Sequence, residues 1–373
     1  MDVNVTIIGA GIVGLAIARE ISNSSKDIFL IEKNLKFGQE SSSRNSEVIH
    51  SGIHYPYGSL KTRLCIQGKE MLYDYCELKD ISYRKCGKLI VSSSVADKDT
   101  LVHILKRAQK NGVTDGRIIN KDEIHDLEPD ITADTAVYFP SSGILDSHTL
   151  MKQFETDAIN NETQVVYGSE VVSLKKLNEG YEVTLKEQDG SVYSFTSEKV
   201  INSAGLYADK ISSMLGLTKP ENQVFYWKGE YFSVSNGKHK FISGLIYPVP
   251  ESNMVGLGIH TTVDLGGRAR LGPNALFMND KKIDYSIDPE HAKDFYDSLK
   301  KYLPFLEPED LVPDQVGIRP TLQKPGDPTR DFIIEEESNS GHPGFINLIG
   351  IESPGLTACM SIAEYVDQMI HKK

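Results

Sequence analysis

Cysteine is scarce in this chain of 373 residues: only Cys65, Cys76, Cys86 and Cys359 are present, and no two stand at C-x-x-C spacing. That excludes a zinc ribbon or a disulfide framework, so no metal is expected and the four read as reduced cytosolic thiols. Long apolar runs are missing too, and none approaches the roughly 18 residues that a transmembrane helix needs. Basic residues are outnumbered, 40 against 52 acidic, for a formal charge of −12. Such a balance argues against a nucleic-acid or anionic-membrane partner, and an anionic substrate would need local positive charge in its pocket. Internal repeats, low-complexity tracts and flexible linkers are absent. The first apolar strand begins at Val3, which leaves no room for a signal or transit peptide, so the expected location is the cytoplasm, with peripheral membrane contact left open. What is there, 39% hydrophobic and 25% charged residues, suits a globular protein of about two domains.

The first residues carry the strongest pattern, VTIIGAGIVGLAIAREISNSSKDIFLIEK. An apolar run, Val3 to Ile8, reads as a buried parallel strand, and Gly9, Gly11 and Gly14 follow at G-x-G-x-x-G spacing. Ile12 and Val13 open an apolar helix that runs to about Ser22. A second strand, Ile28 to Ile31, ends in Glu32 and Lys33, with Glu32 placed 23 residues after Gly9. Gly9 makes the tight turn, Gly11 lets a pyrophosphate approach the backbone and the helix N-terminus, and Gly14 allows close helix–strand packing. Glu32 accepts hydrogen bonds from a ribose hydroxyl, which favours NAD or FAD over NADP. Downstream, Ser41, Ser42, Ser43, Arg44, Asn45 and Ser46 form a donor-rich loop suited to a pyrophosphate and a ribityl chain, or else a solvated Ser-rich loop.

Helical spacing is expected over 60–80, from Lys98 to Asn111 with Gly112 as C-cap, over 151–160, over 290–303 and from Thr357 to Ile370. Residues 164–205 alternate as an antiparallel meander, turning at Asn178-Glu-Gly180 and Asp189-Gly190, and end in a buried strand, Lys199 to Asn202. Residues 222–275 are strand-rich again. The pattern predicts an α/β fold whose nucleotide-binding domain is cut into three pieces, 1–85, 140–215 and 315–373. The intervening pieces, 86–139 and 216–314, would form an antiparallel-sheet substrate domain.

Several blocks then stand in order: FGQESSSRNSEVIHSGIHYPYGSLKTRLC after Glu32, SEVVSL at 169–174, NSAGLYAD at 202–209, LIYPVPE at 245–251, LGIHTT at 257–262, LGPNA at 271–275, GIRP at 317–320 and ESPGLTAC at 352–359. Together they resemble the L-2-hydroxyglutarate dehydrogenase/oxidase family, within the D-amino-acid-oxidase-like flavoproteins that include glycine oxidase and glycerol-3-phosphate dehydrogenase. The resemblance spans nearly the whole chain. It implies a Rossmann-like FAD-binding domain interleaved with the substrate domain, FAD as cofactor, and oxidation of L-2-hydroxyglutarate to 2-oxoglutarate by hydride transfer to flavin. Two positions depart from the family pattern: Glu47 stands where Gly is frequent, and His54 where Tyr is.

The resemblance also implies roles. Val171 and Val172 meet adenine through their backbone, and Ala204 and Gly205 pack on the adenosine phosphate end. Gly350, Pro354, Gly355, Leu356 and Thr357 bring a helix N-terminus to the flavin's pyrimidine edge, where it would stabilise charge on reduction. His50 lies over the flavin and His260 on the substrate sheet; either suits the base that removes the hydroxyl proton, since imidazole titrates near working pH. Arg319 matches the arginine that clamps the substrate carboxylate. A second carboxylate needs another anchor, for which Lys228, Arg268, Arg270 and the Tyr247 hydroxyl are candidates. An amino-acid or amine oxidase, a glycerol-3-phosphate dehydrogenase and a non-catalytic flavoprotein remain alternatives, and the electron acceptor, whether quinone, protein or oxygen, is left open.

Overall fold

In the computed structural model the first strand, Val3–Ile8, sits in the middle of an eight-stranded sheet, paired parallel with Ile28–Glu32 on one side and Val192–Asn202 on the other. Residues 1–92, 94, 97–249 and 258–371 are described. Near-continuous apolar runs build this centre because parallel strands are covered on both faces. Ile7, Leu15, Ile17 and Leu30 are fully buried, and the helices Ile12–Ile21, Ser147–Asn160 and Gly355–His371 pack over them in one core. Phe345–Ile349 extends the parallel part beyond Val192–Asn202, and Ile333–Glu336 pairs antiparallel at that edge.

The meander is Ser169–Lys176, Tyr181–Glu187 and the first half of Val192–Asn202. Gln164–Tyr167, expected as part of it, instead adds a parallel edge strand beside Ile28–Glu32. Gly168, at φ +75°, turns the chain between the two uses. The helix expected over 290–303 is shorter, Ala292–Leu299 after a 3-10 turn at Pro289–His291. Lys300 caps the helix, and the chain continues as turns in which Tyr302 N and Leu303 N both donate to the Leu299 carbonyl at 2.9 Å before Pro304.

A second sheet is organised around Phe225–Val234, which pairs antiparallel with Leu311–Thr321 along its whole length, Trp227 opposite Arg319. Ala269–Leu271, Leu276–Met278 and Thr261–Val263 complete it. The boundary expected at residue 315 therefore falls inside a strand, and Arg319 belongs to this sheet and not to the nucleotide-binding one. Register across ten-residue strands keeps the pair in one unit. A four-stranded sheet sets Lys88–Ser92 between Leu245–Pro248 and Thr135–Phe139, with Arg117–Asn120 at the edge. Val48–Ile49, Gly143–Leu145 and Tyr83–Arg84 form a small sheet of their own. Positions 250–251 and 255–257, expected in strand segments, lie outside the described residues. Among the described residues no helix is long and apolar enough to cross a membrane, and no group of three His, Cys, Asp or Glu could hold a metal.

Candidate active site

One cavity of about 1090 Å³ runs from the glycine turn to the second sheet. Its size matches a large ligand in a preformed cleft. At the first end Gly9 takes φ +103°, and its N–H donates to the Ile31 carbonyl at 2.8 Å. A Cβ at Gly14 would collide with the Gly9 carbonyl oxygen, so helix and turn can touch only because position 14 has no side chain. The Glu32 carboxylate is held by Ala10 N (2.8 Å), Asn34 N (2.9 Å) and Asn34 Nδ2 (2.8 Å). It lines the cavity beside the turn, with acceptor capacity left for a ligand hydroxyl. Ser42 Oγ accepts from Ile12 N at 2.9 Å, tying the Ser-rich loop to the helix N-terminus.

That loop is also tied to the second sheet. Ser41 Oγ donates to the Ile318 carbonyl at 2.7 Å, and Gln315 Nε2 donates to the Asn45 carbonyl at 2.9 Å. Gly317 lies so close to the Arg44 carbonyl that a Cβ there would overlap it. The Arg44 guanidinium rests 3.8 Å from the Tyr285 ring centroid, its buried Nε unpartnered, and Lys33 pairs with Glu40 at 3.0 Å while covering the Tyr207 ring. Arg319 reaches the same cavity, one Nη donating to the Asn274 carbonyl at 2.6 Å. A guanidinium has five N–H donors, so most stay available.

The far end holds three histidines. His50 N donates to Thr357 Oγ1 at 3.0 Å; its Nδ1 is 3.4 Å from Lys88 Nζ, and its Nε2 is 3.4 Å from Ser353 Oγ. His260, 5% exposed, places Nδ1 at 2.7 Å from the Gly258 carbonyl oxygen. A carbonyl can only accept, so Nδ1 carries the proton and Nε2 is bare. The ring stacks on Tyr247 at 3.7 Å between centroids. Both nitrogens of His54 are buried without a partner. Burial, with Lys88 and neighbouring histidines, holds His50 and His54 well below the usual imidazole range. Burial also brings His260 down to about 3, against the Gly258 bond that favours its charged form. All three are neutral near pH 7.

The match to a family model settles the class: residues 4–369 fit the family described as FAD dependent oxidoreductase. The chain belongs to that family. It is 36% identical to the mitochondrial L-2-hydroxyglutarate dehydrogenase of Arabidopsis thaliana, over 98% of this chain and 82% of that protein. The protein of that name from Indibacter alkaliphilus is 29% identical over the full length of both. Among solved structures, the dithionite-reduced L-alpha-glycerophosphate oxidase of Mycoplasma pneumoniae with FAD bound superposes at a TM-score of 0.88, 27% identical, covering 99% of this chain and 95% of that one. Glycine oxidase from Bacillus cereus shares the fold at a TM-score of 0.80 and 20% identity over 99% and 97% of the two chains. The cofactor of this FAD-dependent oxidoreductase is FAD, and the residues present fit it. A glycine turn that admits no Cβ, a fixed carboxylate and an unpartnered arginine nitrogen line one continuous cavity.

Most of the sequence-predicted residues meet in that cavity: Gly9, Gly11, Ile12, Val13, Glu32, Lys33, Ser41, Ser42, Arg44, Asn45, Ser46, His50, Ala204, Gly205, His260, Arg319, Pro354, Gly355 and Leu356. The others do not line it. Val171, not Val172, lines it, because successive side chains of a strand point to opposite faces and Val171 shares the buried face with Ser169. Gly14 lies behind the turn. Thr357 sits beneath His50, receiving its N–H and reaching the Val48 carbonyl at 3.2 Å. Gly350, at φ +71°, turns against the Leu322 side chain. Tyr247, 1% exposed, lies under the His260 ring with its hydroxyl unpartnered. The other second-anchor candidates are neutralised outside the cavity: Lys228 by Asp284 at 3.1 Å, Arg268 by Asp264 at 2.7 Å and Arg270 by Asp314 at 3.1 Å. Sequence reasoning did not single out Lys88, which opens the apolar run Leu89–Val91 and packs beside His50.

Proposed function

We propose that this FAD-dependent oxidoreductase oxidises L-2-hydroxyglutarate to 2-oxoglutarate. One observation carries the reading: an arginine and two neutral histidines share a cavity with the glycine turn, in a chain matched end to end by proteins named for that substrate. In this proposal Gly9, Gly11, the helix N-terminus at Ile12, Ser42 and Arg44 hold the pyrophosphate of FAD, and Glu32 takes the ribose. Val171, Ala204 and Gly205 border the adenine end. Gly355 and Leu356 present a helix N-terminus to the ring. When bound, FAD accepts the hydride.

The protein's own residues do the rest. Arg319 clamps the C1 carboxylate and orients the carbinol C–H bond, which supplies rate through positioning. A neutral histidine, His50 or His260, removes the hydroxyl proton. His54 lines the cavity with both ring nitrogens unpartnered and serves the distal carboxylate. The proposal includes a cytoplasmic enzyme, supported by four cysteines that are all free thiols. Anaerobic addition of each enantiomer to the purified yellow protein tests it. The L-isomer should bleach the flavin band; if it fails and glycine, sarcosine or proline succeeds, the substrate class is wrong. A second reading, oxidation of a glycerol phosphate, is favoured by the likeness to the Mycoplasma pneumoniae oxidase. Bleaching by glycerol 3-phosphate alone would select it.

A further inference from the structure

Lys88 is 0% exposed, at the start of Lys88–Ser92, and among the described residues its Nζ meets the His50 ring and the Tyr247 ring and no carboxylate. A buried ammonium without a carboxylate is costly, and structural lysines avoid it. The titratable groups that face it come from every neighbouring element, and none is acidic in the carboxylate sense. His50 follows Val48–Ile49, with Nδ1 3.4 Å from Lys88 Nζ; His54 lies four residues on; Tyr247, in Leu245–Pro248, puts its ring centroid 4.1 Å away. His260 lies above Tyr247, Cys65 comes from the helix Leu60–Leu78, and Cys86 precedes Lys88 itself. We propose that Lys88 is a positioning residue that receives the proton of the oxidation through His50.

The inference rests on the hydroxy-acid reading and deepens it. The substrate O–H bond breaks and its proton goes to His50 Nε2. The N–H bond at Nδ1 breaks in turn and its proton goes to neutral Lys88 Nζ. The electron pair of the carbinol C–H bond leaves as hydride to flavin. Lysine becomes ammonium, and the imidazole ends neutral, with its tautomer exchanged. A charged Lys88 blocks the route, because it donates to Nδ1 and fixes the proton on Nε2. Burial pushes the Lys88 ammonium down to about 8, with the Cys65 and Cys86 thiols opposing. A proton left on His260 would instead sit on an imidazole held near 3 by burial. A proton acceptor works best when its pKa lies close to the operating pH, and Lys88 at the end of the relay meets that condition while His260 does not.

Two measurements on the holoenzyme test this. In anaerobic stopped flow with L-2-hydroxyglutarate, flavin reduction should rise about tenfold per pH unit and level off above about 8. In Lys88→Met and Lys88→Arg that inflexion should vanish and the rate at pH 8 should fall by roughly 100-fold. A purely structural lysine would lower the rate and leave the inflexion in place, which overturns the proposal. In resting protein labelled with ¹³Cε-lysine, one resonance should titrate near 8, be missing from Lys88→Met, and move in His50→Asn. If no lysine titrates below about 9.5 in the wild type, the relay is refuted whether or not the variants fold. If no 2-hydroxy acid reduces the wild-type flavin, the substrate reading fails separately, and the lysine titration, which needs no substrate, still decides Lys88.

Discussion

Arg319 offers the sharpest test of the substrate clamp. Its strand is fixed by pairing with Phe225–Val234 and by the Ser41 bond to Ile318, and one Nη is already held by the Asn274 carbonyl at 2.6 Å. The guanidinium is thus pre-oriented, so little entropy opposes a bidentate pair with a carboxylate. Arg319→Met keeps the length and removes two charge-assisted bonds, at about 3–4 kcal/mol, or roughly 10²–10³-fold in kcat/KM. Arg319→Lys keeps the charge and one bond, so the loss should be about 1.5–2 kcal/mol, roughly 10–30-fold. The clamp binds the carboxylate in ground and transition states alike and also aligns the C–H bond, so the loss should divide between KM and kcat. Steady-state rates with a dye acceptor measure it, alongside the ratio of flavin to protein absorbance to show that FAD is retained. A 2-hydroxy amide, which has no carboxylate to clamp, should show a far smaller difference between wild type and variant. If Arg319→Met keeps its flavin and holds kcat/KM within about threefold of wild type, the clamp assignment is wrong.

Three further outcomes follow from the same geometry. Gly14→Ala puts a methyl against the Gly9 carbonyl, backbone on backbone, and overpacking of at least about 1–3 kcal/mol should show as protein purified largely without flavin absorbance. The Asp331 carboxylate accepts from Leu60 N at 2.6 Å and Lys61 N at 2.9 Å, capping the helix Leu60–Leu78; Asp331→Ala should lower urea-unfolding stability by about 1–2 kcal/mol. Lys88 is lowered in the fold from 10.5 to about 8, so the unfolded chain binds more protons between those values and Lys88 makes stability rise with pH across that window. From about pH 7.5 to 9.5 the wild type should therefore gain about 2 kcal/mol relative to Lys88→Met, and parallel urea curves would show the lysine to be unperturbed.

The nucleotide-binding end was legible because its demands are local. A turn without side chains, an apolar helix and a carboxylate at the next strand's end all lie within 32 residues, and Glu32 does reach back to Ala10 N. Glu47 shows how a departure from a family pattern is absorbed. Its φ is +59°, the region where glycine is at ease, and its carboxylate offsets the strain by accepting from Ser147 Oγ at 2.8 Å and Ser147 N at 3.2 Å. The substrate end was less legible because its electrostatics are assembled across the chain. Lys228, Arg268 and Arg270 read as free cations until folding sets Asp284, Asp264 and Asp314 beside them. Lys88 carries no local signal until Leu245–Pro248 pairs alongside and lays Tyr247 against its Nζ.

These two failures of local reading have one cause, and it bears on specificity. With a net charge of −12, cations near a carboxylate are quickly neutralised, so an anion-binding cavity must keep its positive charge where no acidic side chain reaches. Arg319 meets this by bonding a backbone carbonyl and Arg44 by resting on an aromatic face. Each keeps its charge and gives up little of its donor capacity. The two guanidiniums therefore stay unpaired against the sign of the whole protein, and a carboxylate entering beside either would replace water at a group that has no competing anion. Placing an acid among them should harm binding out of proportion to one lost contact, because it would neutralise a cation that the surrounding fold has kept unpaired.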